Sequence, residues 1–83
     1  MKNPQKYRMA MGQAIVERRE KLVFSRDKLA RIIGVTVDYM ASIEQGGEDL
    51  RLSEMLCISR ALNMPPSTLL ATAECILSDD DSI

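Results

Sequence analysis

The sequence contains few side chains of the kinds that perform covalent or metal chemistry. It has no histidine, and its two cysteines, Cys57 and Cys75, stand far apart. Both fall on apolar helical patterns, which favours two buried, reduced thiols over a disulfide or a metal site. No phosphate-binding loop or nucleophile elbow is present, and Gly46-Gly47 is a helix stop. We therefore expect no enzyme activity, no cofactor, no metal site and no small-molecule ligand.

Charge divides the chain into two unlike parts. Residues 1–31 hold nine Lys or Arg and three Asp or Glu, a formal charge of +6, whereas residues 32–83 hold two and nine, a charge of −7. A basic half can bind a polyanion even when the net charge is only −1. The alternative is that these charges merely solvate helix faces. Because no secretion signal or membrane-spanning stretch is evident, a cytoplasmic protein without membrane contacts is expected.

Helices must position any functional side chains, because apolar residues make up 46% of the chain and aromatic residues only 4%. Asn3-Pro4 predicts a first helix that ends near Leu22. Gly12 weakens its early part, so residues 1–8 form either an arm or the first helical turns. Strand-forming residues are sparse, and the content of Leu, Ala, Met, Glu, Lys and Arg favours helices, so an all-α fold is predicted.

Two short helices follow, each with its own start and stop signals. Ser25 caps a helix from about Arg26 to Ile33, and Gly34 ends it because glycine adopts the left-handed conformation without a side-chain clash. Thr36 caps a third helix, Val37–Gln45, which Gly46-Gly47 ends. The two helices are therefore predicted to be joined by a tight turn.

The remainder of the chain predicts two more helices and a tail. A fourth helix covers about Leu52 to Leu62, with a face predicted from its leucines and Ser59 and with Met55 and Ile58 beside it. Ser67 is expected to cap a fifth helix after a proline break. The acidic residues at 79–83 are predicted to be a disordered tail.

The order of these signals resembles the Cro/cI-type, or XRE-like, helix-turn-helix regulators. The similarity covers about residues 10–72 and lies in the joint spacing of several weak elements. These elements are Arg19, Ser25-Arg26-Asp27, Leu29-Ala30, Gly34-Val35-Thr36, Ile43-Glu44-Gln45-Gly46 and Ile58-Ser59-Arg60-Ala61-Leu62. The resemblance implies a compact five-helix bundle of the lambda-repressor-like type, in which helices 2 and 3 form the helix-turn-helix. The expected organisation is an arm or first turns at 1–8, this domain at 9–78 and the tail at 79–83.

The resemblance implies that double-stranded DNA is the partner and that the third helix enters the major groove. The positions expected to read bases are Val37, Asp38, Ala41 and Ser42. The positions expected to approach the DNA backbone are Arg26, Lys28, Thr36 and Tyr39. Further cations are expected from Arg8, Arg18, Lys21 and Arg31, with Lys2 and Lys6 if an arm reaches the DNA. The resemblance also implies an ion pair between Arg19 and Glu44, the alternative being two separate surface charges.

The absence of a basic residue on the third helix needs a physical account. Asp38 can accept a hydrogen bond from cytosine N4. The alternative is a first-turn residue that the helix dipole favours, and the two roles are compatible. Val37 and Ala41 can contact a thymine methyl group, and Ser42 can bond several bases. The family often has basic residues in the next loop, but this chain has Glu48 and Asp49 there. We therefore expect modest affinity that salt weakens strongly.

A homodimer on a palindromic operator is expected, since one such domain covers only a short half-site. The predicted interface lies on the unusually apolar fifth helix at Leu69, Leu70, Ala73, Ile76 and Leu77, although these residues could instead pack into the core of the monomer. The leading hypothesis is thus a small DNA-binding transcriptional regulator that acts as a repressor. The alternative is a protein-interaction module on the same fold, such as an antitoxin, anti-repressor or co-regulator, with a protein partner and weak or no DNA binding.

Overall fold

The computed structural model describes residues 4–81, which form five helices and no strand within that range. The helices are α1 (Pro4–Lys21), α2 (Arg26–Ile33), α3 (Val37–Glu44), α4 (Leu52–Ala61) and α5 (Pro66–Asp81). The predicted all-α, five-helix architecture is confirmed. No helix among the described residues is both long and apolar enough to cross a bilayer.

The core lies where all five helices meet. Its members are apolar side chains with 6% exposure or less: Ala10, Ala14, Ile15, Leu29, Ala30, Met40, Ile43, Ile58, Leu62, Leu69 and Ala73. Full burial of one such Leu, Ile or Met stabilises the fold by about 1.5–3 kcal/mol. The α1 and α5 helices pack along each other, and α2 and α3 pack together. In addition, α2 packs against α4, and α3 packs against α1. This arrangement holds the helix pair α2–α3 on a rigid support.

The caps of α2 and α3 are local, and the sequence identifies them correctly. Ser25 Oγ accepts a hydrogen bond from Lys28 N at 3.0 Å, and Thr36 Oγ1 accepts one from Tyr39 N at 3.0 Å. Gly34 adopts φ +81°, and its N–H bonds the carbonyl of Ala30 at 2.9 Å. The left-handed residue thus closes α2 and lets α3 start almost at once.

Several helix ends differ from the predictions. Residues 4–8 are the first turns of α1, and residues 1–3 lie outside the described part of the chain. The α5 helix begins at Pro66 rather than after Ser67, because a proline at the first helical position loses no hydrogen bond. Residues 79–81 continue α5, so the prediction of a disordered tail is wrong there, and 82–83 fall outside the described residues.

The predicted face of α4 is only partly buried. Leu52 and Leu56 are 68% and 47% exposed, whereas Ser59 and Leu62 of the same face are buried, together with Ile58, which was expected beside it. The C-terminal half of the helix therefore supplies its core contacts. Both cysteines are exposed as well, which corrects the expectation of two buried thiols.

Candidate nucleic-acid interface

The α3 helix buries one side and presents the other to solvent. Met40, Ile43 and Glu44 are buried, and they fix the orientation of the helix. The four positions predicted to read bases lie within another arc of the helix surface, that of residues i, i+1, i+4 and i+5, and Val37 at the edge of this arc lies one turn before the buried Met40. Val37 is 40% exposed, Asp38 is exposed, and Ala41 and Ser42 are half-buried. The structure thus brings these four positions together on a single accessible surface.

The start of α2 lies on the same helix pair and carries the predicted backbone-contact residues. Arg26 is the first residue of α2, and Lys28 follows within the first turn. The Lys28 ammonium lies 4.5 Å from the centroid of the Phe24 ring, a distance typical of a cation–π contact. Thr36 is exposed at the start of α3. A helix start that carries a cation is suited to bind an anion, because the positive end of the helix dipole lies there.

Arg19 and Glu44 lie against each other beneath this surface. Arg19 Nε is 2.9 Å from Glu44 Oε2 and Arg19 Nη2 is 3.2 Å from Oε1, which is a two-point contact. The side chains are only 11% and 1% exposed. Arg19 Nη1 also donates to the Phe24 carbonyl at 2.8 Å. These bonds tie α1 to the end of α3 and to the connection before α2.

A second arginine contacts the same carboxylate, and sequence reasoning missed this contact. Arg26 Nε donates to Glu44 Oε1 at 2.8 Å, and the Arg26 side chain remains 39% exposed. The only sequence signal was an Arg at a position where the resembled family usually has Gln. That signal indicated a phosphate contact but gave no partner inside the protein.

Tyr39 is directed to a different partner from the one predicted. Its hydroxyl donates to Glu54 Oε2 at 2.8 Å, and Glu54 Oε1 accepts from Arg51 N at 3.1 Å. The hydrogen bond to the Glu54 carboxylate, aided by desolvation, raises the pKa of Tyr39 above its usual value of 10.0. The phenolic proton is thus used within the protein, where it links α3 to the start of α4. The approach of Tyr39 to the DNA backbone stays a prediction.

Two of the basic residues expected to supply cations to the DNA are used inside the fold. Arg8 Nε donates to the Gly46 carbonyl at 3.1 Å, after the end of α3. Arg18 donates to the carbonyls of Leu62 and Asn63 at 3.0 and 3.2 Å, after the end of α4. Arginine is favoured at such ends because the last carbonyls of a helix lack partners and carry partial negative charge. The charge of +6 over residues 1–31 therefore overstates the cations available to a ligand.

The predicted dimer surface is only partly accessible. Leu69 and Ala73 are buried in the core, and Ile76 and Leu77 are half-buried against it. Leu70 alone of the five is exposed, at 43%. The assignment of Leu69 and Ala73 to a dimer interface is therefore wrong, because α5 uses that face to pack on α1.

No group of three or more His, Cys, Asp or Glu side chains within the described residues is arranged to hold a metal ion. The two carboxylates of the α3–α4 loop, Glu48 and Asp49, are exposed beside the candidate interface. They give this edge of the surface a negative charge, opposite to that at the start of α2.

Solved structures with the same architecture are bacterial regulators. The clp gene regulator ClgR from Corynebacterium glutamicum superposes with a TM-score of 0.89 at 20% identity, over 92% of this chain and 81% of that chain. A second structure of that regulator gives a TM-score of 0.79 at 22% identity, with 82% and 88% covered. The restriction-modification controller protein C.AhdI from Aeromonas hydrophila gives 0.71 at 28% identity, over 74% of this chain and 92% of that chain.

No protein-family model and no curated protein matches the sequence. The structural similarities confirm the resemblance to XRE-like helix-turn-helix regulators.

Proposed function

We propose that this protein is a small transcriptional regulator that binds double-stranded DNA with sequence specificity. The observation that carries the proposal is the accessible face of α3, bordered by the capped start of α2 with its two cations. A face of this kind fits the major groove, where the first turns of a recognition helix contact base edges. The similarity to a gene regulator and to a restriction-modification controller supports this proposal.

The chemistry of the α3 face determines which bases it can distinguish. The Asp38 carboxylate accepts a hydrogen bond from cytosine N4, and the Ser42 hydroxyl bonds several bases. Val37 and Ala41 offer apolar contact to a thymine methyl group. Phosphates are contacted by Arg26 and Lys28, and by the Thr36 hydroxyl.

Binding as a homodimer to a palindromic operator is part of this proposal, and the small size of the domain supports it. A single 9.3 kDa domain contacts one short half-site, and a two-fold dimer doubles the contacted sequence. The exposed side of α5 that carries Leu70 is the part of the predicted interface still available for this contact. Repression is the simplest consequence, because a dimer on its operator blocks access to the DNA beneath it. The protein would act on DNA in the cytoplasm.

The dimer has a direct test in Leu70→Glu. The substitution places a charge on an exposed position, so we expect a folded monomer of 9.3 kDa by sedimentation. The matched control is Val23→Glu, since Val23 is 88% exposed and lies away from α5 in the sequence. A wild-type protein that already sediments as a monomer at micromolar concentration and in the presence of operator DNA would contradict the dimer.

A second candidate function, protein binding, is favoured by a groove of about 400 Å³ beside the α3–α4 loop. Its lining includes the apolar side chains of Tyr7, Met11 and Leu70, with Glu48 and Asp49 on the same lining. An apolar groove with acidic residues suits a partner segment that has an apolar anchor and a basic neighbour. DNA binding that fails in every test would leave this function as the better account.

Selection from a pool of randomised DNA duplexes tests the leading proposal. We expect enrichment of one palindromic sequence. Asp38→Ala should alter the preferred base at one position in each half-site, because a good base contact contributes about 1–3 kcal/mol of discrimination. Glu74→Ala is the matched control, since it removes an exposed carboxylate from α5 and should leave the selected sequence unchanged. A pool without enrichment after repeated rounds would contradict sequence-specific binding.

A further inference from the structure

The buried carboxylate of Glu44 holds two arginines of different exposure. Arg19 approaches both oxygens, at 2.9 and 3.2 Å, from the core side, and Arg26 Nε approaches Oε1 at 2.8 Å from the solvent side. Glu44 is 1% exposed in its side chain, Arg19 is 11% and Arg26 is 39%. Two positive charges therefore meet one negative charge, and the surplus positive charge lies on the arginine nearer to solvent.

Two opposite consequences for an anionic ligand are conceivable. The carboxylate could compete with a phosphate for Arg26, which would weaken binding. Alternatively, it could hold the guanidinium in place so that the free edge faces the ligand, which would strengthen binding. The contact to Glu44 uses Nε of Arg26, so this bond leaves the donors of the two Nη groups unused. Arg19 already makes a two-point bond to the same carboxylate, so Glu44 has little charge left with which to oppose a phosphate.

We propose that Glu44 is a positioning residue, which orients the Arg26 guanidinium for contact with a DNA phosphate at the start of α2. The inference rests on the proposed DNA-binding function. An arginine loses considerable rotamer freedom when it binds a ligand. Here the side chain is already ordered by a rigid, buried acceptor before DNA arrives. The planar guanidinium makes this possible, because one edge can bond the carboxylate while the other remains directed outward.

The location of the three residues supports this role. Arg26 is the first residue of α2, next to the Ser25 cap, so its guanidinium and the first N–H groups of the helix belong to one site. Asp27, the carboxylate in that turn, lies 3.4 Å from Arg31 one turn later, and this contact partly neutralises it. The end of α3, which carries Glu44, is thereby connected to the start of α2. Base-reading and phosphate contact would then be held in a fixed relation.

A double-mutant cycle tests the proposal. The affinity of wild type, Arg26→Ala, Glu44→Gln and the double variant is measured over a range of salt concentrations with a random 20-base-pair duplex. The slope of log affinity against log salt is negative, and loss of one phosphate contact reduces its magnitude by about one. We expect this loss in Arg26→Ala, most of it in Glu44→Gln, and no further loss in the double variant. Arg60→Ala, which removes an exposed cation from α4, is the control and should leave the slope closer to the wild-type value.

Two outcomes of these measurements would overturn the positioning role, and a third would also remove the DNA-binding function. If Glu44→Gln binds more tightly or keeps the full slope while Arg26→Ala loses it, the carboxylate competes with DNA and the positioning role is overturned. A wild type that binds DNA while Arg26→Ala is unchanged would also overturn it, but would leave the DNA-binding function intact. A wild type without salt-dependent binding would remove both.

Removal of the Glu44 charge leaves Arg19 without its partner, so circular dichroism must first show that Glu44→Gln folds. If it does not fold, Arg26→Lys decides. A lysine keeps the charge but carries its three donors on one nitrogen and has no planar fork, so it cannot bond Glu44 and a phosphate through separate edges. We expect Arg26→Lys to lose most of what Arg26→Ala loses. Full retention of affinity and slope in Arg26→Lys would overturn the proposal.

Discussion

Gly12 is the position where α1 comes closest to the end of α3, and Gly12→Ala tests that packing. A Cβ atom at this position would clash with the Glu44 carbonyl oxygen and lie 2.6 Å from the Ile43 carbonyl oxygen. Both are backbone atoms, so no side-chain rotation can relieve the overlap. In an exposed helix, Gly→Ala stabilises by about 1 kcal/mol, but overpacking costs about 1–3 kcal/mol.

An overlap with two backbone oxygens belongs at the upper end of that range. We therefore expect Gly12→Ala to lower the free energy of unfolding by about 2 kcal/mol, which is about 8–16 °C in Tm for a domain of this size. Urea denaturation followed by circular dichroism measures the change. Gln13→Ala is the matched control, because Gln13 is exposed on the same helix and its loss should stay within about 0.5 kcal/mol. A Gly12→Ala variant as stable as wild type, or more stable, would refute the close approach of α1 and α3.

Three further predictions concern the caps, the core and Tyr39. Ser25→Ala should cost about 1 kcal/mol in urea denaturation, because it removes the side-chain cap of α2. Leu29→Ala should cost about 2–5 kcal/mol in the same assay, since Leu29 is fully buried. The hydrogen bond to Glu54 raises the pKa of Tyr39 above 10.0 in the folded state, so its stabilising effect is present below about pH 10 and is lost as pH rises through the folded value. The stability difference between wild type and Tyr39→Phe should therefore shrink in denaturation series at successively higher pH, and a constant difference would contradict the assigned bond.

The helix pair could be predicted from the sequence because its signals are local. Ser25, Thr36 and Gly34 each act within one turn of their own position, and the structure contains all three features where they were expected. The end of α5 could not be predicted in this way. Its acidic last turn is unfavourable for a helix dipole, yet the residues before it pack on α1, and that packing lies far away in sequence.

The face of α4 shows a different limit of sequence reasoning. Leu52, Leu56, Ser59 and Leu62 have helical spacing, but the structure buries only Ser59 and Leu62 of that face, with Ile58 beside them. Packing of α4 against α2 and α5 decides how much of the face is covered. The spacing therefore predicted the face in part and could not show that its first half is exposed.

The candidate site was predictable as a set of positions but not as a set of contacts. Helical spacing alone places Asp38 and Ser42 on the face away from Met40. By contrast, the bonds of Arg8 and Arg18 to helix-end carbonyls and of Arg26 to Glu44 join residues far apart in the chain. A count of charges in the sequence therefore could not show which basic side chains are bonded inside the protein and which remain available to DNA.

The central claim is that this surface binds DNA, and one measurement tests it most directly. Fluorescence anisotropy of the purified protein is recorded with the duplex upstream of its own gene and with a random duplex, each at two salt concentrations. The account predicts saturable binding that weakens at the higher salt concentration and favours the upstream duplex over the random one. Binding to neither duplex at low salt would contradict it.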